Sequence, residues 1–109
     1  MALTREFKET VVARIKKDTR YRRALLAASI DAFLDGDIDT GKSILRDYIN
    51  ATIGFERLSK VIKKDSNSIQ RMLGPNGNPR ADNIFSIIKI LKDDDNLCVY
   101  VKIDKRKVA

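Results

Sequence analysis

Residues 55–73, FERLSKVIKKDSNSIQRML, decide how the chain is read. Leu58, Val61 and Ile62 recur at i, i+3 and i+4, the spacing of one helical face, and Ile69, Met72 and Leu73 repeat it. Between the two sets, Lys63, Lys64 and Asp65 are too polar for a core. Asp65 or Ser66 suits the cap of the second helix, where a side-chain oxygen accepts from the first free N–H groups. The outward face of that helix carries Ser66, Asn67, Gln70 and Arg71, all able to hydrogen-bond base edges or phosphates. The spacing predicts two short helices joined by a tight turn. It fits either an ordinary helical hairpin with a solvated face or a helix-turn-helix, whose second helix enters the DNA major groove.

The rest of the composition narrows the choice. A chain of 109 residues, 43% apolar and 34% charged, fits one globular domain with a modest core. No apolar run is long enough to span a bilayer. The opening MALTREFKETVV scatters charges where a secretory signal needs an apolar block, so a cytoplasmic protein is expected. Cys98 is the single cysteine and there is no histidine, which removes zinc fingers, thiol–imidazole catalysis and the commonest general base. No catalytic residue, metal or cofactor is expected, and the chain reads as a non-enzyme.

The net charge of +7 is unevenly spread. Residues 1–23 hold eight basic and three acidic side chains, and residues 55–80 hold six and two. Residues 24–54 hold two basic and five acidic, and the remainder six and five. Positive charge thus gathers on the helix pair and on the N-terminal segment, the footprint of a polyanion binder.

Working outward, residues 1–54 read as three helices. Thr4 can cap the first, which runs to about Lys17 with Phe7, Val11 and Ile15 on one face and Arg5, Lys8, Arg14 and Lys16 on the other. An amphipathic helix on the domain surface accounts for it better than direct DNA contact. Asp18 or Thr19 starts the second, with Leu26, Ile30 and Phe33 as its stripe and Leu25 and Leu34 beside it; Gly36 stops it. GDIDTGKS, residues 36–43, matches the phosphate-loop pattern G-x-x-x-x-G-K-[ST] letter for letter. That loop must follow a buried strand and cradle phosphate with its amides. Here helix-periodic residues precede it, and Asp37 and Asp39 repel phosphate. A helix stop and a new start, capped by Asp37, Asp39 or Thr40, is the better account. The third helix carries Leu45, Ile49 and Ile53 on one side, and Gly54 ends it.

Beyond Leu73, GPNGNPR is an obligate tight loop. Arg80 at its end is a candidate phosphate contact, with Lys60, Lys63 and Lys64. A last helix over 81–93 places Ile84, Ile88 and Leu91 in one stripe with Phe85, Ile87 and Ile90 beside it, so it reads as a helix buried on most sides. In residues 97–103, Leu97, Val99, Val101 and Ile103 alternate with Cys98, Tyr100 and Lys102, the pattern of a β-strand. A lone strand needs a partner: the same strand of a second subunit, which we favour, or a sheet in another protein.

The run GFERLSKVIKKDSNSIQRMLGPNGNPRADNIFSIIKIL, and above all its Leu73-Gly74-Pro75-Asn76-Gly77-Asn78-Pro79 turn, resembles the bacterial antidote (antitoxin) proteins of addiction modules, within the lambda-repressor-like regulators. The upstream Asp35-Gly36-Asp37 and LRDYINATIGF extend the likeness to roughly residues 19–103. The resemblance implies a mainly α, compact helical domain that binds operator DNA as a homodimer and represses its own operon. It also implies pairing with a toxin protein encoded nearby. It places base contacts on Ser66, Asn67, Gln70 and Arg71. That family usually has a small residue, often Gly, and then an apolar one in the turn, where this chain has Lys63 and Lys64. The alternative is an interaction module that neutralises a partner with little DNA binding of its own.

Overall fold

The computed structural model describes residues 5–106, and six helices account for the regular structure among them: α1 Arg5–Lys17, α2 Thr19–Leu34, α3 Ile38–Ala51, α4 Phe55–Ile62, α5 Ser66–Met72 and α6 Ala81–Asp94. Three of them start on an aspartate. Asp18 accepts from the Tyr21 N–H at 3.1 Å, Asp37 from Thr40 at 3.3 Å and Asp65 from Ser68 at 3.2 Å. Each satisfies an amide that the helix itself leaves free. Gly36 and Gly54 both adopt φ +80°, which turns the chain out of α2 and sets the entry to α4. The expected Thr4 cap lies outside the described residues.

The two remaining letters of the GKS triplet have structural explanations. Gly41 lies in α3, and a Cβ there would meet the Phe33 ring at 2.8 Å. Its carbonyl accepts from the buried Ser29 hydroxyl at 2.9 Å. Glycine therefore lets α2 and α3 pack closely, and these two helices share the most extensive contact in the molecule. Lys42 is 3% exposed and donates to the Gly74 and Gly77 carbonyls at 2.9 and 2.8 Å.

Ile15, Leu26, Leu45, Tyr48, Ile49, Leu58, Ile69, Leu73, Ile87 and Leu91 form the core, drawing on every helix and on Leu73 just beyond α5. Burying each aliphatic side chain contributes roughly 1.5–3 kcal/mol. Several expected faces are narrower than their spacing suggested. Leu34, Val61 and Phe85 are all more than half exposed, as is Phe7. At about 100° per residue, Val61 falls to one side of the arc shared by Phe55, Leu58 and Ile62. Phe85 likewise falls well off the arc of Ile84, Ile87, Ile88 and Leu91. α6 is thus a one-faced helix and is not buried on most sides.

Much of the N-terminal positive charge is engaged within the domain. The Arg22 guanidinium makes a fork on Asp95, Nε to Oδ2 at 2.8 Å and Nη2 to Oδ1 at 3.1 Å. It also donates to the carbonyls of Ile15 and Lys16 near the end of α1. The Tyr48 hydroxyl donates to the same carboxylate at 3.2 Å. Lys8 pairs with Asp47 at 3.6 Å, and Arg14 stacks over the Tyr21 ring at 4.1 Å.

The C-terminal segment departs from expectation. Residues 97–106 form no strand. The Leu97 N–H donates to the Lys92 carbonyl and its side chain packs on the core, but Val101 and Ile103 are 72% and 92% exposed. The physical reason is that a ladder needs a second strand, and the described chain offers none. No helix among the described residues is long and apolar enough to cross a membrane.

Removing the Asp95 carboxylate should expose how far the helices depend on it. Asp95→Ala strips Arg22 and Tyr48 of their acceptor and is expected to cost about 2–3 kcal/mol, read by urea unfolding. Burial, reinforced by the Asp95 charge, raises the Tyr48 phenol well above its ordinary value. Its neutral form is held in the fold, so this contribution is complete below about pH 10 and fades as pH climbs above it. Melting temperature should accordingly fall in that range, and less steeply in Tyr48→Phe.

Candidate nucleic-acid interface

The exposed arc of α5 follows from its helical turn. Ile69 is fully buried, and Met72 and Leu73 follow it into the core. Asn67, Ser68, Gln70 and Arg71 are exposed on the opposite side. Ser66 is only half-buried, being close to Leu73 in angular position, and its hydroxyl accepts from Gln70 Nε2 at 3.1 Å. Arg71 Nη2 lies 3.4 Å from the Ser68 hydroxyl. The arc at about 100° per residue identifies Ser68 as its fourth outward member, a residue that sequence reasoning missed in favour of Ser66.

These side chains line an open groove of about 1230 Å3. Its far wall is α3, through Arg46 and Asn50, and its ends are the Asp65 cap and the loop Gly74–Gly77. Its lining is mostly polar, with Asn50, Asn67, Ser68, Gln70 and Asn76 beside Arg46 and Arg71. Arg46, Asn50 and Asn76 were not singled out in the sequence. Nothing local marks them, because they meet α5 only through the tertiary fold.

The expected phosphate contacts are placed differently. Lys60, Lys63, Lys64 and Arg80 are all exposed, and none lines the groove. Lys63 and Lys64 occupy the connection between α4 and α5. Arg80 sits immediately before α6, with Nε 3.5 Å from Asp82. Lys63 adopts φ 59°, ψ 43°, the left-handed conformation that ends α4. A Cβ is unfavourable there by about 1–2 kcal/mol relative to the right-handed region. Glycine is the residue that adopts this conformation without that cost. No known protein family, curated protein or solved structure matches the chain.

Lys63→Gly separates backbone strain from charge. It should leave stability unchanged or raise it by up to about 1 kcal/mol, measured by thermal unfolding. If the ammonium contacts phosphate, the same variant should bind a duplex more weakly and with a shallower salt dependence.

Proposed function

We propose that the protein is a sequence-specific DNA-binding regulator in which α4 and α5 act as a helix-turn-helix of the lambda-repressor-like kind. One observation carries this reading: Asn67, Gln70 and Arg71 stand together, exposed, on the side of α5 opposite its buried Ile69 and Leu73. Asn and Gln pair in bidentate fashion with adenine, and Arg with guanine. Exposed Lys60, Lys63, Lys64 and Arg80 flank the helix pair and supply phosphate contacts, which add affinity and orientation without sequence information.

The protein acts as a homodimer in this reading. The alternating residues Leu97, Val99, Val101 and Ile103 pair with the same segment of a second copy, completing a ladder that one chain lacks. Two α5 helices then read half-sites about one helical turn apart. The resemblance to addiction-module antidotes supports an antitoxin that represses its own operon and binds a toxin encoded beside it. A second reading, a module that neutralises a partner protein with little DNA binding, is favoured by the exposed apolar side chains Leu34, Ile38 and Phe85.

A duplex enriched by the protein from a randomised pool, then titrated with variants, decides between them. Arg71→Ala should cost roughly 1–3 kcal/mol and relax preference at one base pair, whereas Lys64→Ala should weaken all sequences alike. Unchanged binding in both variants removes the helix-turn-helix reading and leaves the partner-neutralising one. Val101→Asp should shift the protein from dimer to monomer in sedimentation.

A further inference from the structure

The loop that closes the groove is held from behind by a buried charge. Lys42 Nζ bonds the carbonyls of Gly74 and Gly77 at once, and Asp39 reaches the same ammonium at 3.5 Å from a side chain 88% exposed. The Gly77 N–H closes the turn onto the Gly74 carbonyl at 3.0 Å. Gly77 itself has no room for a side chain, since a Cβ would collide with the Arg71 and Met72 carbonyl oxygens at the end of α5. The loop is therefore fixed on one side by α3 and on the other by α5.

That fixing has a directional consequence. The peptide bonds are trans, and in a planar trans unit the carbonyl and the following N–H point opposite ways. Turning the Gly77 carbonyl towards Lys42 turns the Asn78 N–H away from it. The N–H groups of Asn76 and Asn78 have no acceptor among the described residues. Beside this loop stands Arg46, half-buried and with no ion-pair partner among the described residues. It lines both the groove and the recess behind Gly74 and Pro75. The carboxylate in the groove, Asp65, caps the opposite end of α5. One end of the groove thus holds the Arg46 guanidinium and Asn76, with Asn78 just beyond its lining, while behind them the Lys42 ammonium is paired with Asp39, whose carboxylate shares the recess with Arg46.

We propose that Arg46 and the loop Asn76–Asn78 form a phosphodiester-binding rim for duplex DNA, with Lys42 as the positioning residue that sets the loop before the duplex arrives. The proposal rests on the DNA-binding reading of α5 and adds a contact from α3 that the helix pair does not contain. Because the loop is already ordered, binding spares the entropy of arranging it.

The test compares wild type, Arg46→Gln and Lys42→Met on the enriched duplex across a salt series, with 1H–15N spectra of the loop amides. Arg46→Gln should weaken all sequences alike by roughly tenfold, as expected for one charge-assisted contact, and reduce the slope of log K against log salt by about one. The Asn76 and Asn78 amides should shift when duplex is added to wild type. Lys42→Met should broaden the loop amide signals or collapse them towards random-coil positions in the free protein, and lose the same slope while keeping base preference. An unchanged slope in Arg46→Gln with silent loop amides overturns the rim and leaves the α5 reading standing. Lost slope in Arg46→Gln beside unchanged preference in Arg71→Ala supports the rim and overturns base reading by α5. Enrichment of no duplex overturns both. Should Lys42→Met fail to fold, Arg46→Gln and the wild-type spectra still decide.

Discussion

A single carboxylate, Asp95, ties the two ends of the helical domain together. It caps α6, receives the fork of Arg22 from α2 and the hydroxyl of Tyr48 from α3, and through Arg22 it reaches the end of α1. Arg22 and Asp95 are 73 residues apart in sequence. Hydrogen bonding to Asp95 raises the Arg22 pKa against the opposing effect of burial, as expected where a charged donor meets a charged acceptor in a fork. With these helices held, α4 and α5 have a stable surface to pack on, and α5 can leave one side uncovered.

The same domain uses two cations, the part-buried Arg22 and the buried Lys42, in different ways. Arg22 meets a carboxylate and joins helices that are distant in sequence. Lys42 bonds two loop carbonyls, with the exposed Asp39 carboxylate at 3.5 Å, and orders a loop with little regular structure of its own. In the second case, the ammonium complements the partial negative charge at the end of α5, where backbone carbonyls lack helical partners. A loop of glycines, prolines and asparagines would otherwise carry the greatest conformational freedom in the chain. Ordering it from behind leaves its outward surface unencumbered.

What could be read in the sequence was what depends on neighbours a few residues away. The aspartate caps at 18, 37 and 65 and the glycine turn at 36 rest on local backbone chemistry and lie where that chemistry puts them, whereas α3 ends at Ala51 with Thr52 as its cap and Gly54 opens α4. Asn67, Gln70 and Arg71 are outward for the same reason, since Ile69 and Leu73 fix the rotation of α5. Ser68 rather than Ser66 completes that face, because at about 100° per residue Ser66 lies beside the buried Leu73. The roles of Lys42, Arg46 and Asn76 depend on α3 meeting a loop some 30 residues later, which no periodicity encodes. The tail shows the converse limit: alternation at 97–103 expresses an inclination to pair, and a single chain cannot fulfil it.

The two kinds of asparagine position in the loop have consequences for how such a chain can change over generations. Gly74 and Gly77 are confined by backbone oxygens of α5, so the frame of the loop admits almost no variety. Asn76, between the two glycines, and Asn78, just after the second, are exposed. Replacement there alters what the surface offers while the frame stays as it is. Descendants of this sequence can thus alter the chemistry of that surface one residue at a time while the turn beneath it stays folded.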